Sequence, residues 1–398
     1  MIFREVVNLD AFGELLSLSE QDKSARGLLH TPKEIAQQPD TWKETFRHFR
    51  KHQAEIQEFL RFANPSQHLI VFLIGAGTSD YIGRSLASLL CRLWQCVVIP
   101  VPSTDLATHF EESILPGQSY LWISFSRSGA SPETAVVLEK ALETHPDIHH
   151  IVVSCNAKGR MILGSMGKKQ VLSICLDETV NDQGLAMTSS FTNMVVVGQC
   201  LAHVHSIDNY EEILGQLVNA GKSFIGVAAD LAGKLAGGQY SKACFVGSGP
   251  LQAVAKEAAL KLLELTAGEV FTMSESALGL RHGPMAALDK DTLLVCFVSG
   301  DSRIQKFDID LLEEIGRKKL VQTRVAVARE SSSALDKVAE NVITPGTNSQ
   351  VADDYRAPVD VIFAQMLGLF FSLNRGLKPD CPSPNGAISR VVEAVSIY

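Results

Sequence analysis

The sequence predicts a parallel α/β protein built from two similar halves, and three observations carry that prediction. From residue 68 onward, short apolar runs alternate with helical segments: Leu69 to Ile74, Cys96 to Ile99, Tyr120 to Phe125, Ile151 to Cys155 and Val171 to Cys175. This is the rhythm of a parallel sheet covered by helices on both faces. Two loops rich in glycine and hydroxyls, Gly75-Ala76-Gly77-Thr78-Ser79 and Ser126-Arg127-Ser128-Gly129, follow two of these runs. They therefore fall at the carboxyl ends of strands, where open sheets of this class gather ligands. The pattern then restarts, with Ala243 to Val246, the loop Gly247-Ser248-Gly249-Pro250, a helix from Gln252 to Leu265, and Thr292 to Val298 followed by Ser299-Gly300-Asp301-Ser302. Internal duplication explains the correspondence.

The first sixty residues read as helical. Thr41-Trp42-Lys43-Glu44, after Pro39, has the form of a capping box, and Trp42, Phe46, Phe49, Ile56, Phe59 and Leu60 recur at near-helical spacing until Asn64-Pro65. That apolar face must pack on the body of the protein or on a second subunit. Between the halves come an apolar helix, Thr188 to His203, and a polar connection through Asp208-Asn209-Tyr210. The chain is accordingly divided into a helical extension (1–55), a first α/β domain (56–215), a second (216–375) and a tail (376–398).

At 398 residues the chain is long enough for two cores, and 46% hydrophobic with 20% charged residues describes an ordered protein. A net charge of −8 supplies no basic field for nucleic acid or an anionic membrane. Eight cysteines without a CxxC pair point to reduced thiols in a cytoplasmic protein. Met1 is followed by Arg4, Glu5 and Asp10, unlike a signal peptide, and no run approaches the ~18 consecutive apolar residues of a membrane span. Two HxxxH spacings, His48/His52 and His145/His149, enclose Arg50-Lys51 and Pro146, with no glutamate beside the first histidine, so no metal is expected.

The stretch around which the chemistry is arranged is Phe125 to Thr134. A strand ending at Phe125 and a helix from Glu133 to Leu142 leave Ser126, Ser128 and Ser131 in the loop between them. N–H groups at a helix start lack intrahelical partners and sit at the positive end of the macrodipole, so serines there suit a phosphate. The plainer role for such serines is a turn and an N-cap. In the second half the matching loop carries Asp301, a poor neighbour for phosphate, which makes the first half the anion binder. Glu257, Lys261 and Glu264 stand at i, i+4 and i+7 on one helix face. A solvated stripe is the usual reading, but the helix is otherwise apolar, and a partly desolvated carboxylate beside a lysine is suited to proton transfer. His282 lies in a loop before Gly283-Pro284, where a ring can project into a cleft.

These residues resemble the sugar isomerase (SIS) domain family, with two such domains in tandem as in the isomerase half of glucosamine-6-phosphate synthase. The likeness rests on Gly77-Thr78-Ser79, Ser126-Arg127-Ser128-Gly129, Gly184 to Thr188, Ala259 to Glu264 and His282-Gly283-Pro284, and runs from Lys33-Glu34-Ile35 to the tail. SRSGASPET, LGLRHGP and SPNGAISRVV resemble in particular the AgaS branch, comprising galactosamine-6-phosphate deaminases and tagatose-6-phosphate ketose/aldose isomerases. The resemblance implies two flavodoxin-like, doubly wound domains and a sugar-phosphate substrate. Ser126, Arg127, Ser128 and Ser131 would hold the phosphate, and Ser79 and Thr78 the sugar hydroxyls. His282 would open the ring, reaching in from the neighbouring subunit of a homodimer or larger homo-oligomer. Glu264 would move the proton between C2 and C1, with Lys261 placing or polarising it, and no cofactor is implied. Two departures matter. The helical extension is not a glutamine amidotransferase, and the tail position of the synthase's Schiff-base lysine corresponds to Ile388. The expected reaction is galactosamine 6-phosphate plus water to tagatose 6-phosphate plus ammonia. The alternatives are a ketose/aldose isomerase, a glucosamine-6-phosphate deaminase and a non-enzymatic sugar-phosphate sensor, the last disfavoured because no basic helix-turn-helix occurs in the first sixty residues.

Overall fold

The computed structural model describes residues 11–63, 69–346, 351–392 and 396–397. Within them the chain opens with α1 (Ala11–Ser17), α2 (Glu20–Arg26), α3 (Thr31–Ala36), α4 (Gln38–Lys51) and α5 (Gln53–Phe62). The N-terminal Arg4, Glu5 and Asp10, and the stop at Asn64-Pro65, lie outside the described residues. α4 starts ahead of the expected capping box: Pro39 occupies its first turn, and Thr41, already helical, donates its hydroxyl to Gln38 O at 3.0 Å. Rather than one long helix there are two, parted at His52. Trp42, Phe46, Phe49, Ile56 and Leu60 are buried, and Trp42 Nε1 donates to Thr192 Oγ1 at 2.9 Å, so this face packs on the body of its own chain. The cap of α3 comes from the far end of the sequence. Asp380 accepts the N–H groups of His30 and Thr31 at 3.1 and 2.8 Å, filling the need of a helix start that has no capping side chain of its own.

The first α/β unit runs β1 (Leu69–Gly75), α6 (Thr78–Trp94), β2 (Val97–Pro102), α7 (Ser103–Thr108), β3 (Ser119–Ser126), α8 (Pro132–Thr144), β4 (His149–Ser154), α9 (Arg160–Ser165) and β5 (Val171–Cys175). Two helices follow, α10 (Ser189–Ala202) and α11 (Ile207–Ala236). The second unit runs β6 (Lys242–Gly247), α12 (Pro250–Leu265), β7 (Phe271–Glu275), β8 (Thr292–Phe297), α13 (Ser302–Lys318), β9 (Thr323–Val327), α14 (Ser333–Val338), β10 (Asn341–Ile343) and α15 (Ala357–Asn374). The strand orders are β2-β1-β3-β4-β5 and, read from the matching edge, β7-β6-β8-β9-β10, with every pairing parallel. These are the same flavodoxin-like order twice.

The duplication extends to individual dihedral angles. Gly77 (φ 55°, ψ −124°) and Gly249 (φ 60°, ψ −131°) precede α6 and α12 in the same conformation, one closed to side chains. Two residues earlier, a Cβ on Gly75 would lie 2.3 Å from Ser79 C, and one on Gly247 2.2 Å from Leu251 O. The same glycine pair thus lets each strand turn tightly into its helix.

Three features depart from the sequence reading. β7, β9 and β10 were not anticipated. Asp208-Asn209-Tyr210 is the first turn of the 30-residue α11, so a division at 215/216 falls inside a continuous helix. α15 is long and apolar enough, by length and composition, to cross a membrane, yet 83% of that window is buried inside the protein. It is the central helix of the core, and its Asp360 pairs with Arg356. α6 and α12, the equivalent helices of the two halves, pack against each other, which brings the second half to the carboxyl edge of the first sheet.

Candidate active site

A cavity of about 610 Å³ opens at that edge, lined by Ala76 to Ser79 after β1 and by Arg127, Ser128 and Ser131 after β3. In a 2-1-3-4-5 sheet the crevice between strands 1 and 3 is the topological switch point. Lys261 and Glu264 line the wall contributed by α12, and residues 386–392 of the tail complete the enclosure.

The hydroxyls of the β3–α8 loop divide by role. Ser126 is buried, is not part of the cavity lining, and accepts Gly129 N at 3.1 Å, so its side chain holds the turn. Ser128 lines the cavity and accepts Ala130 N at 3.2 Å, which leaves its O–H to donate outward. Ser131 is the N-cap residue of α8 but makes no side-chain capping bond, and it too lines the cavity. Arg127 is at the wall, yet its guanidinium donates to the carbonyl oxygens of Leu185, at 3.2 Å, and Arg390. Its Nε is without a partner among the described residues. Its geometry is that of a brace between walls more than of a phosphate clamp. Ser79 and Thr78 line the floor.

Thr78 leads to the charged group. Lys261 Nζ donates to Thr78 Oγ1 at 3.1 Å and to Glu264 Oε2 at 2.6 Å, and lies 3.4 Å from Glu257 Oε1. Lys261 and Glu257 are fully buried, while the Glu264 side chain keeps 23% of its surface open. Burial raises the Glu257 carboxyl to about 8 despite the opposing Lys261. Burial also works to lower the Lys261 ammonium, but the carboxylates of Glu257 and Glu264 outweigh it and hold the lysine above its ordinary value. The result is a fixed cation that aims one carboxylate, Glu264, into the cavity. The sequence reading noted Glu257 on this helix face but left it out of the site. The signal was its i, i+4 spacing to Lys261 on an otherwise apolar helix.

His282 does not line this cavity. It is exposed, in the turn between Gly279–Arg281 and Pro284–Ala287, on the surface of its own chain. Ile388 does line it, so the tail presents an alkyl group where the resemblance put an amine in the synthase.

The equivalent loop of the second half is already occupied. Ser299 Oγ donates to Asp353 Oδ2 at 2.5 Å, Gly300 N to Asp353 Oδ1 at 2.9 Å, and Ser299 N to Asp308 Oδ2 at 2.9 Å. Asp301 caps α13 through Arg303 N and Ile304 N. Donors that face open space in the first half are thus satisfied by the chain's own carboxylates here. Among the described residues no three His, Cys, Asp or Glu side chains converge as a metal site would require.

The family model of the SIS domain matches residues 239–372. An AgaS relative from Streptomyces coelicolor is 36% identical over 372 residues, 93% of this chain and 95% of the relative. The D-galactosamine-6-phosphate deaminase AgaS of Escherichia coli is 32% identical over 369 residues, 92% of this chain and 95% of that protein. The crystal structure of tagatose-6-phosphate ketose/aldose isomerase from Escherichia coli superposes with a TM-score of 0.83 at 29% identity, covering 92% of this chain and 96% of that one.

Proposed function

Because this chain belongs to the SIS (sugar isomerase) domain family, with two such domains in tandem, we propose that it converts galactosamine 6-phosphate and water to tagatose 6-phosphate and ammonia. It is an enzyme of sugar-phosphate metabolism, which sets aside the sensor reading; the choice of epimer and the loss of ammonia are the proposal. The observation that carries it is the Lys261–Glu264 pair at 2.6 Å, lining the same cavity as Ser128 and Ser131 at the start of α8.

The phosphate is bound by Ser128, Ser131 and the N–H groups at the start of α8, and Ser79 and Thr78 meet sugar hydroxyls. His282 of the partner subunit opens the ring; its exposure outside its own chain's cavity supports this role. Glu264 then takes the C2 proton of the open aldehyde, giving a 1,2-enaminol, and returns it to C1. The product is a C2 iminium, to which water adds before ammonium leaves. One carboxylate serves both proton steps because C1 and C2 share a face of the cis intermediate, and Lys261 keeps that carboxylate in place. Anchoring the remote phosphate orients the reacting carbons. With Ile388 in place of a tail amine, the imine nitrogen is the substrate's own.

A second reading, ketose/aldose isomerisation, uses the same proton shuttle with a C2 hydroxyl, and is favoured by the likeness to the isomerase structure. An ammonium-release assay over the 6-phosphates of galactosamine and glucosamine, run beside a tagatose 6-phosphate isomerisation assay, decides between them. Ammonium from galactosamine 6-phosphate is the expected result. Ammonium only from the glucosamine epimer, or aldose–ketose interconversion without ammonium release, would overturn the proposal.

A further inference from the structure

The loop between β5 and α10 forms one wall of the cavity and carries the anchors of the tail. Arg390, in the tail, donates from Nε to Asp182 O at 2.7 Å and from a terminal nitrogen to Asn181 Oδ1 at 2.9 Å. Leu185 O receives Arg127 at 3.2 Å, and the same guanidinium reaches Arg390 O. On one side this loop is held by α3 and the residue that follows it, in the N-terminal extension. Glu34 Oε1 accepts the N–H groups of Gln183 and, at 3.3 Å, Gly184. Gln37 Nε2 donates to Thr179 O at 2.8 Å, and Ser189 Oγ to Glu34 O at 2.6 Å. The approach is close enough that a Cβ on Gly184 would lie 2.8 Å from Thr31 Oγ1 and 3.0 Å from Glu34 Oε2.

We propose that Glu34 is a positioning residue of the sugar-phosphate cavity, gripping Gln183 and Gly184 so that their loop presents Asn181, Asp182 and Leu185 to Arg390 and Arg127. Glu34 touches no substrate; it acts through the loop, and the helical extension is thereby part of the enclosure of the site. Burial, with Asp182 beside it, raises this carboxyl to about 8; the two N–H groups it receives need only an acceptor oxygen, which a glutamine side chain also supplies.

The proposal rests on the sugar-phosphate reading above, and the test has two arms so that the two can fail separately. In the first arm, which needs no ligand, hydrogen–deuterium exchange is compared in the wild type, Glu34→Ala and Glu34→Gln. Glu34→Ala is expected to speed exchange at 181–185 and 386–392 while leaving β1 and β3 unchanged, and Glu34→Gln to restore wild-type protection. In the second, calorimetric titration with galactosamine 6-phosphate is expected to weaken roughly ten- to hundredfold in Glu34→Ala, with KM raised far more than kcat is lowered, and to recover in Glu34→Gln. If Glu34→Ala does not fold, Glu34→Asp, which draws the carboxyl back by one methylene, must show the same selective loss of tail protection. Wild-type exchange in the tail of a folded Ala or Asp variant, or no rescue by glutamine, would overturn the role of Glu34. A wild type that binds no sugar phosphate would overturn the functional reading while the first arm still decided this one.

Discussion

Glu264 and His150 show how the same physical setting, a titratable group taken out of water, is used in two ways. Glu264 keeps an open edge and a fixed cation at 2.6 Å, so it is aimed into the cavity. Glu264→Gln keeps the shape and removes the base. The expected loss in kcat is about 10²–10⁴-fold with sugar-phosphate affinity retained by titration, and unimpaired turnover would exclude it as the base. His150, in β4, is fully buried against Trp122, with neither ring nitrogen bonded among the described residues. Burial first, and then His149, lower it to about 3, so it folds as neutral imidazole. Between that value and the unfolded one near 6.5, the unfolded chain binds the extra proton, so stability falls as pH drops through this window. At pH 5 this group alone costs about 2 kcal/mol relative to neutral pH. His150→Leu removes both the proton and the unbonded nitrogens, and the expected result is a flatter acid limb in the thermal melting temperature between pH 4 and 6.5. An unchanged limb would show that other groups set it.

The two equivalent loops differ in what meets their donors. After β3 the donors face the cavity; after β8 Asp353 and Asp308 take them. One hexosamine phosphate per chain is therefore expected by equilibrium dialysis, and two per chain would show that the Asp353 carboxylate yields to phosphate. Ser128→Ala removes one neutral donor to an anion, a bond worth about 1.5–3 kcal/mol, so KM is expected to rise roughly ten- to hundredfold with kcat little changed. A KM that does not move would remove this loop from the phosphate site. The asymmetry was partly legible in the sequence, where Asp301 stands in the second loop, but the occupant is another residue. Asp301 caps its helix, and Asp353 arrives from a segment whose approach no local pattern reports. The same holds for Ser126 and Ser128: adjacent hydroxyls read alike in the chain, and only the turn geometry sends one inward to Gly129 and the other to the cavity wall.

Across the whole molecule, what was legible is what repeats locally. The β1, β3, β6 and β8 runs and the two Gly-x-Gly turns announce two copies of one sheet because each apolar run and each close strand–helix approach leaves its mark in adjacent residues. The short edge strand β10 and the start of α11 do not, since their polar residues resemble loops. α15 was passed over because Asp360 and Gln365 interrupt its apolar run, and only the buried Arg356 and Gln38 that meet them make those residues compatible with a core. The site itself spans the fold: β1 and β3 supply one wall, α12 another, the tail a third, and His282 is turned away from all of them. The proposed contribution of His282 from a partner subunit can be tested by pairing two variants. Glu264→Gln and His282→Ala are each expected to be inactive alone, but a dimer containing one chain of each has one site with both residues intact and one with neither. About half of the sites of that mixed dimer are then restored. Co-expression of the two variants with separable tags, followed by tandem purification of the mixed dimer and the ammonium assay, measures this. A mixed dimer as inactive as its parents, or a His282→Ala homodimer with wild-type turnover, would place ring opening with a residue of the same chain as Glu264 or deny it to His282 altogether.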